Sequence, residues 1–446
     1  MNFQESVRYL LSLGRELTAP TQAAAAKFNL ENIALLAESR GHPERKYPSV
    51  HIAGTNGKGS TAAFLESILR HTGCRTGLYT SPHLERINER IRINGEEIAD
   101  GTFASAFSRI QSTIEQLLAS GKLRAHPTFF ECVTAIAFSY FAEAGVEFAV
   151  FETGLGGRLD ATNIIVPHVS VITRIDFDHE NFLGHSLREI AGEKAGIIKP
   201  GVPVVLSEQR DEARDVLLAK AREAGAPVIE TNSAFTVESQ QAIDGLIRAT
   251  VKEIVSGVRF EIAPRLAGRF QLQNALNAVA TARALQSKGF DISGAAIEKG
   301  IAETIWPGRI EKVHSNPDIY LDGAHNPSAA RELAAFLAET LRGRKLIVIF
   351  GALRDKSVDE IAGILFAHAS EVIFTEPRTV RSISASQLAE IAGHHATQFS
   401  VIPDAEKAME AALAQAAVDD VVCVTGSLYL VGQLRHHWSS LRTGAG

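Results

Sequence analysis

Two spacings of apolar residues divide the chain. Short continuous apolar runs at Val50 to Ala53, Thr76 to Tyr79, Val146 to Phe151, Val169 to Thr173 and Val202 to Leu206 read as buried strands. Stretches in which apolar residues recur every third or fourth position read as helices with one packed face. Phe64, Leu65, Ile68 and Leu69 form one such face, and Val133, Ile136, Ala137, Tyr140 and Phe141 another. Helices are expected over 102–120, 128–144, 270–287 and 292–303. Two more fall within 3–40 around a loop from Gly14 to Gln22, whose Thr18 to Thr21 stretch is a candidate mobile wall of a site. The alternation predicts a largely parallel sheet covered on both faces. Between Phe235 and Ile262 the period changes to two, as in Leu246-Ile247-Arg248-Ala249-Thr250, and predicts a small antiparallel addition. Trp306-Pro307-Gly308 breaks the pattern. Beyond it, strands at 319–321, 345–350, 371–375 and 421–424 alternate with helices as a second doubly wound unit. The expected fold is α/β with a first domain over 1–303 and a Rossmann-like domain over 304–446.

Composition narrows the functional classes. The chain has 446 residues, 45% hydrophobic and 22% charged, with a formal net charge of -6. It carries no basic run or basic stripe interleaved with aromatics, which argues against nucleic acid as a partner. Anionic ligands must then be held by local positive groups. Cys74, Cys132 and Cys423 are widely separated and odd in number, so neither a disulfide framework nor a cysteine metal site is indicated, and a reducing cytoplasm fits. The first residues lack the basic and apolar regions of a signal peptide, and no apolar run is long enough for a membrane span.

The stretch Ser49-Val50-His51-Ile52-Ala53-Gly54-Thr55-Asn56-Gly57-Lys58-Gly59-Ser60-Thr61 organises the chemistry. A strand enters a glycine-rich turn, and a helix begins at Lys58. Such a turn points backbone N–H groups at an anion, the helix N-terminus adds partial positive charge, Lys58 adds a full one, and Ser60 offers a hydroxyl to magnesium. A nucleoside triphosphate is the expected anion; a solvated turn is the competing reading, because the spacing departs from the common Gly-x-x-x-x-Gly-Lys-Ser/Thr loop.

Other clusters lie at strand ends. Glu152 opens Glu-Thr-Gly-Leu-Gly-Gly-Arg-Leu-Asp-Ala-Thr-Asn and is placed either to hold magnesium or to cap a turn. Asp178-His179 follows another strand and reads as a metal site, an acid-base pair or a surface loop, with His179 a candidate ligand for a second magnesium. Lys194, in Glu-Lys-Ala-Gly, is either a solvated helix residue or a functional amine. An amide at Gln273-Asn274 can read an adenine edge, Arg309 can clamp phosphates and Asp322 can accept from ribose hydroxyls.

In order along the chain, Gly-Thr-Asn-Gly-Lys-Gly-Ser, Thr-Ser-Pro-His-Leu, Asn-Glu-Arg-Ile, the Glu152 motif, Asp-His, Glu-Lys-Ala-Gly-Ile, Pro-Gly-Arg, Asp-Gly-Ala-His-Asn-Pro and Val-Thr-Gly-Ser-Leu-Tyr-Leu resemble the folylpolyglutamate synthase/dihydrofolate synthase branch of the Mur-ligase superfamily. The resemblance implies a P-loop ATPase-type, Mur-ligase-like ATP-binding domain and a C-terminal Rossmann-like glutamate-ligase domain with catalysis between them. By this resemblance Asn56, Gly57, Lys58, Gly59, Ser60, Asn274, Arg309 and Asp322 bind ATP. Ser60, Ser81, Glu152 and His179 hold magnesium at two sites, with a monovalent cation as a further candidate cofactor. Lys194 is carbamylated, and Lys58, Lys194 and His179 are the catalytic set. The folate or dihydropteroate meets Thr128, Phe129, Phe130, Glu131, Leu159, Asp160 and Ala161, and His325 faces L-glutamate.

The implied reaction is amide ligation. A substrate carboxylate attacks the γ-phosphorus of ATP, and glutamate's amine captures the acyl phosphate inside a cleft that closes about Trp306 to Arg309. The expected protein is a cytoplasmic monomer without nucleic-acid or membrane partners. Competing readings are a folylpolyglutamate synthase alone, another Mur-type amino-acid ligase, for whose uridine-nucleotide domain residues 1–48 are too few, and a nucleotide-gated binding protein without ligase chemistry.

Overall fold

The computed structural model describes residues 1–13 and 29–443. The expected Gly14 to Gln22 loop with its Thr18 to Thr21 wall lies outside the described residues. Eight strands form the first sheet: β1 (Ser49–Ala53), β2 (Thr76–Tyr79), β3 (Ile91–Ile93), β4 (Glu96–Glu97), β5 (Phe148–Glu152), β6 (Val169–Ile172), β7 (Val204–Leu206) and β8 (Val228–Glu230). Their spatial order is β4-β3-β2-β5-β1-β6-β7-β8. β1 lies parallel to β5 and β6 at the centre, while β3 and β4 pair antiparallel at one edge. All five residues of β1 are buried, as a strand covered on both faces requires. On one face Val50 and Ile52 pack with Phe64, Leu65 and Ile68 of the helix Lys58–Arg70 and with Leu272 and Val279 of the helix Phe270–Ser287. On the other, Phe151 and Tyr79 pack with the helices Asp100–Ala119 and Phe129–Glu143.

β9 (Phe235–Ile243), β10 (Leu246–Glu253) and β11 (Arg259–Ile262) form the expected antiparallel addition, a separate three-stranded sheet whose Ile247, Val251 and Phe260 join the first core. A third sheet holds β12 (Glu311–His314), β13 (Asp318–Leu321), β14 (Leu346–Phe350), β15 (Glu371–Glu376), β16 (Phe399–Asp404) and β17 (Val421–Thr425), in the order β12-β13-β17-β14-β15-β16. Only the β12–β13 pairing is antiparallel, and apolar clusters cover both faces.

The structure departs from the apolar pattern at sheet edges. β8, β12 and β16 add strands that the pattern does not predict, because an edge strand needs no continuous apolar run. Val228, Phe399 and Val401 are exposed there. β5 also runs later than expected, so Glu152 is its last residue rather than the first residue beyond it.

Candidate active site

Parallel strands send their connections out from the same end, and the end of β1 lies between those of β5 and β6. Gly54 takes φ 152°, and a side chain there would meet Thr173 Oγ1 at 1.8 Å. Gly57, at φ 86°, would carry its Cβ to 2.3 Å from Asn274 Oδ1. Only glycine lets the turn close against the end of β6 and the helix Phe270–Ser287. The Trp306 ring edge abuts the next glycine, Gly59, so the predicted linker reaches the turn as well.

Two lysines converge on this turn. Lys58 Nζ donates to the carbonyls of Gly54, at 3.0 Å, and Thr55, at 3.2 Å. Lys194 Nζ donates to the same Gly54 oxygen at 2.8 Å. Lys194 is 4% exposed; burial, and then the neighbouring Lys58 charge, bring its pKa down to about 7. An amine that sheds its proton near neutrality is a nucleophile, which a solvated lysine is not.

Glu152 is buried at the end of β5, and its Oε2 accepts the Ser81 N–H at 3.2 Å. Burial raises its pKa, while Lys58, the Ser81 amide, Arg309 and Arg90 pull the other way. Ser81 Oγ is buried with no hydrogen-bond partner. An orphaned hydroxyl beside a buried carboxylate is a set of hard oxygen donors, which fits magnesium. Ser60, buried in the first turn of the helix Lys58–Arg70, is a further hydroxyl at the glycine-rich turn.

His179 belongs to a different cluster. It takes φ 50°, and its ring nitrogens lie 3.9 Å from Asp178 Oδ2 and 3.9 Å from Asp355 Oδ2. Burial lowers its pKa to about 4 against the opposing Asp178 charge, leaving a neutral imidazole. Among the described hydrogen bonds and ion pairs, none joins it to Glu152, Ser81 or Ser60.

Asp178 is the hub between the first and third sheets. Lys356 Nζ donates to its Oδ1 at 2.7 Å, Asn326 Nδ2 donates to its Oδ2 at 3.3 Å, and His325 Nε2 lies 3.6 Å from Oδ2. Asn326 also exchanges amide hydrogen bonds with Asn56 of the glycine-rich turn, at 3.0 and 3.3 Å. Burial would raise the Asp178 pKa, but His179, Lys356 and His325 hold it well below the usual carboxylate value.

Several predicted contact residues are engaged by their own fold. Thr128 and Glu131 form a capping box at the start of the helix Phe129–Glu143: Glu131 Oε2 accepts the Thr128 N–H at 2.7 Å, and Thr128 Oγ1 accepts the Glu131 N–H at 3.2 Å. Phe129 is in the core with the Arg90 guanidinium 5.3 Å from its ring centroid. Phe130 packs against Gly154 and Tyr79. Asp160 is buried, accepting from Gly154 N at 2.8 Å and Leu155 N at 3.0 Å through Oδ2, and from Thr162 through Oδ1. It therefore folds the glycine loop after β5. Leu159 is half-buried beside it, and Ala161 is buried in the core. Asp322 Oδ2 accepts Ile310 N at 2.8 Å and its Oδ1 accepts Ala324 N at 2.9 Å, which holds the end of the linker; half-buried Arg309 donates to Gly308 O at 3.1 Å. His325 pairs through Nδ1 with Gly323 O at 2.7 Å.

Lys356 and Asn326 are not among the residues that the sequence singles out, and nothing in it pairs Asp178 with them or with His325. Lys356 follows β14 in Leu-Arg-Asp-Lys, and a charged run after a parallel strand is the signal that could have marked it.

A glycine-rich anion turn on which part-buried Lys58 and buried Lys194 converge, with a buried carboxylate beside it and a second doubly wound sheet facing it, fits a nucleotide-dependent ligase of the Mur type. The Mur ligase middle domain matches residues 52–282, and the Mur ligase, glutamate ligase domain matches residues 308–428. A dihydrofolate synthase/folylpolyglutamate synthase of Bacillus subtilis is 36% identical over 397 residues, covering 89% of this chain and 91% of that protein. A folylpolyglutamate synthase of Lacticaseibacillus casei is 33% identical over 437 residues, 98% of each chain. Among solved structures, the Mycobacterium tuberculosis folylpolyglutamate synthase complexed with ADP superposes with a TM-score of 0.88 at 32% identity over 98% of both chains. Escherichia coli FolC in complex with DHPP and ADP gives 0.87 at 29% identity over 99% of both. The chain belongs to the Mur ligase family, in its folylpolyglutamate synthase/dihydrofolate synthase branch, whose members are ATP-dependent amide ligases.

Proposed function

We propose that this chain joins L-glutamate to the carboxylate of reduced folates, and to dihydropteroate, through an acyl phosphate. The observation that carries this reading is the convergence of Lys58 and Lys194 on the Gly54 carbonyl beside buried Glu152. The glycine-rich turn, with Asn56, Gly57, Gly59 and Ser60, receives the triphosphate, and Lys58 swings from the loop carbonyls to the phosphoryl oxygens. Asn274 and Arg309 complete the nucleotide contacts from the helix Phe270–Ser287 and the linker, and Asp322 positions that linker.

Glu152, Ser81 and Ser60 would hold one magnesium, and His179 a second; bound there, the metal neutralises charge on the triphosphate. A monovalent cation is a further candidate. Lys194, whose uncharged form is present at neutral pH, would add carbon dioxide through that amine, release a proton and become an anionic carbamate in the buried site. Phe130 and Leu159 border the pterin side, over the loop that Asp160 folds, while His325 meets the glutamate from the third sheet. Thr128, Phe129, Glu131 and Ala161 shape that wall through the helix cap and core. Division of the chain into 1–303 and 304–446 lets the two parts close and exclude water, so that the amine rather than hydroxide captures the acyl phosphate.

We propose that the enzyme works as a monomer in the cytoplasm, a reducing compartment in which its three free cysteines would stay reduced. Among the described residues no helix is long and apolar enough to cross a membrane. Incubation with ATP, magnesium and glutamate, offering dihydropteroate and tetrahydrofolate separately, tests the reading by product mass. A glutamyl adduct of both supports it; one of tetrahydrofolate alone removes the dihydropteroate activity; neither overturns it.

A further inference from the structure

Outside the cleft, the third sheet's helices bring together Asp359, His394 and His395, whose ligand atoms all lie within 4.8 Å of one another. Asp359 is in the first turn of the helix Val358–Leu365, and the histidines lie in the short turn Gly393–His395 after the helix Ala385–Ala392. Both Nε2 atoms face one oxygen: His395 Nε2 is 2.9 Å and His394 Nε2 3.5 Å from Asp359 Oδ1. The two rings lie side by side with centroids 3.9 Å apart.

Gly363, one turn after Asp359, makes room for this. A Cβ there would stand 3.2 Å from His395 Cε1, so glycine lets the ring lie against the helix with Nε2 directed at Asp359. An exposed histidine-carboxylate pair adds little to stability, and it needs one ring, not two. Two adjacent imidazolium ions would repel each other. Two imidazole nitrogens and a carboxylate oxygen within 4.8 Å of one another, open to solvent, instead form a three-ligand set.

We propose that Asp359, His394 and His395 bind a borderline transition-metal dication, zinc being the prototype, with water completing the coordination. Magnesium does not suit this set, because it favours oxygen ligands; zinc takes imidazole nitrogen and carboxylate oxygen at about 2.0–2.2 Å. Such an ion ties the start of the helix Val358–Leu365 to the turn before β16. Asp359 is also the third residue after Lys356, so the tie lies next to the loop that reaches Asp178.

The test is titration of the untagged, chelator-stripped full chain with cobalt(II) and zinc(II) in excess magnesium. The expected result is one site with the strong visible absorption of four-coordinate cobalt, displaced by one equivalent of zinc. Asp359→Asn and the pair His394→Gln with His395→Gln should each weaken zinc binding by at least about 10–100-fold. Circular dichroism and an unchanged ligase turnover show that these variants are folded. Equal zinc affinity in the folded variants, or only the weak absorption of six-coordinate cobalt, overturns the proposal.

Discussion

Lys356 Nζ lies 2.7 Å from Asp178 Oδ1, a contact that joins the loop after β14 to the loop after β6 across the cleft between the two large sheets. Their side chains are 5% and 10% exposed, so neither charge is solvated once its partner is gone. The Asn56–Asn326 exchange lies beside it, and the glycine-rich turn is thereby connected to the third sheet through Asp178 and Asn326.

Removing one partner of a buried pair costs about 3–5 kcal/mol, because the other charge stays buried. Lys356→Met is therefore expected to lower turnover and stability together, and Asp178→Asn to do the same. The double variant should be no worse than the more severe single one, so the coupling should at least equal the cost of the milder single change, about 3–5 kcal/mol. Denaturation and turnover measured over the four proteins supply the cycle. Strict additivity would mean that the two residues act separately.

Lys58 makes its present hydrogen bonds to carbonyls of its own turn, which a triphosphate would replace. Lys58→Ala should therefore fold normally yet lose turnover by about 10²–10³-fold, the loss seen when one preorganised donor to a developing charge is removed. Initial rates at saturating ATP measure this. A near-normal rate would take Lys58 out of the phosphoryl-transfer machinery.

The glycine-rich turn and Glu152 stood out in the sequence because each lies in a contiguous motif at a strand end, and Lys194 stood out through the Glu-Lys-Ala-Gly motif although it closes a helix. Asp178 was legible only as half of a dipeptide: Lys356 is 178 residues away, and no local spacing announces such a pair. Asp160 shows the opposite limit. The family resemblance implies a substrate contact for it, and both its oxygens accept from the loop that carries it, an orientation that sequence cannot give. The central strands were readable as apolar runs, whereas β16, exposed at the sheet edge, was not.

Lys194 should take up carbon dioxide. The reaction needs the free amine, and a pKa of about 7 leaves that form in the majority at pH 8 and in the minority at pH 6. Intact-mass or density measurements with bicarbonate at pH 8 are expected to show an added carboxyl group that is lost on acidification. Lys194→Ala should be inactive and partly rescued by formate or acetate. Full activity of that variant without either anion would exclude the role.

His51 sets an acid limit on stability. It is fully buried in β1, and its Nε2 lies 2.8 Å from Thr162 Oγ1, which itself donates to Asp160. Nε2 must therefore carry the hydrogen, leaving Nδ1 bare, and Nδ1 is buried without a partner. Burial, with Lys199 adding to it, lowers the pKa to about 3 from the 6.5 of a free histidine. As pH falls below about 6.5 the unfolded chain gains a proton on this ring that the folded chain refuses. Stability should thus decline by up to about 1.4 kcal/mol per pH unit, until the folded ring also protonates near pH 3. His51→Gln can keep the donor to Thr162 but has nothing to titrate. Its stability should depend less steeply on pH between 6.5 and 4 than that of the parent, whatever its absolute value at pH 8. The slopes of unfolding free energy against pH decide the matter, and parallel slopes would show that His51 accepts its proton in the folded protein.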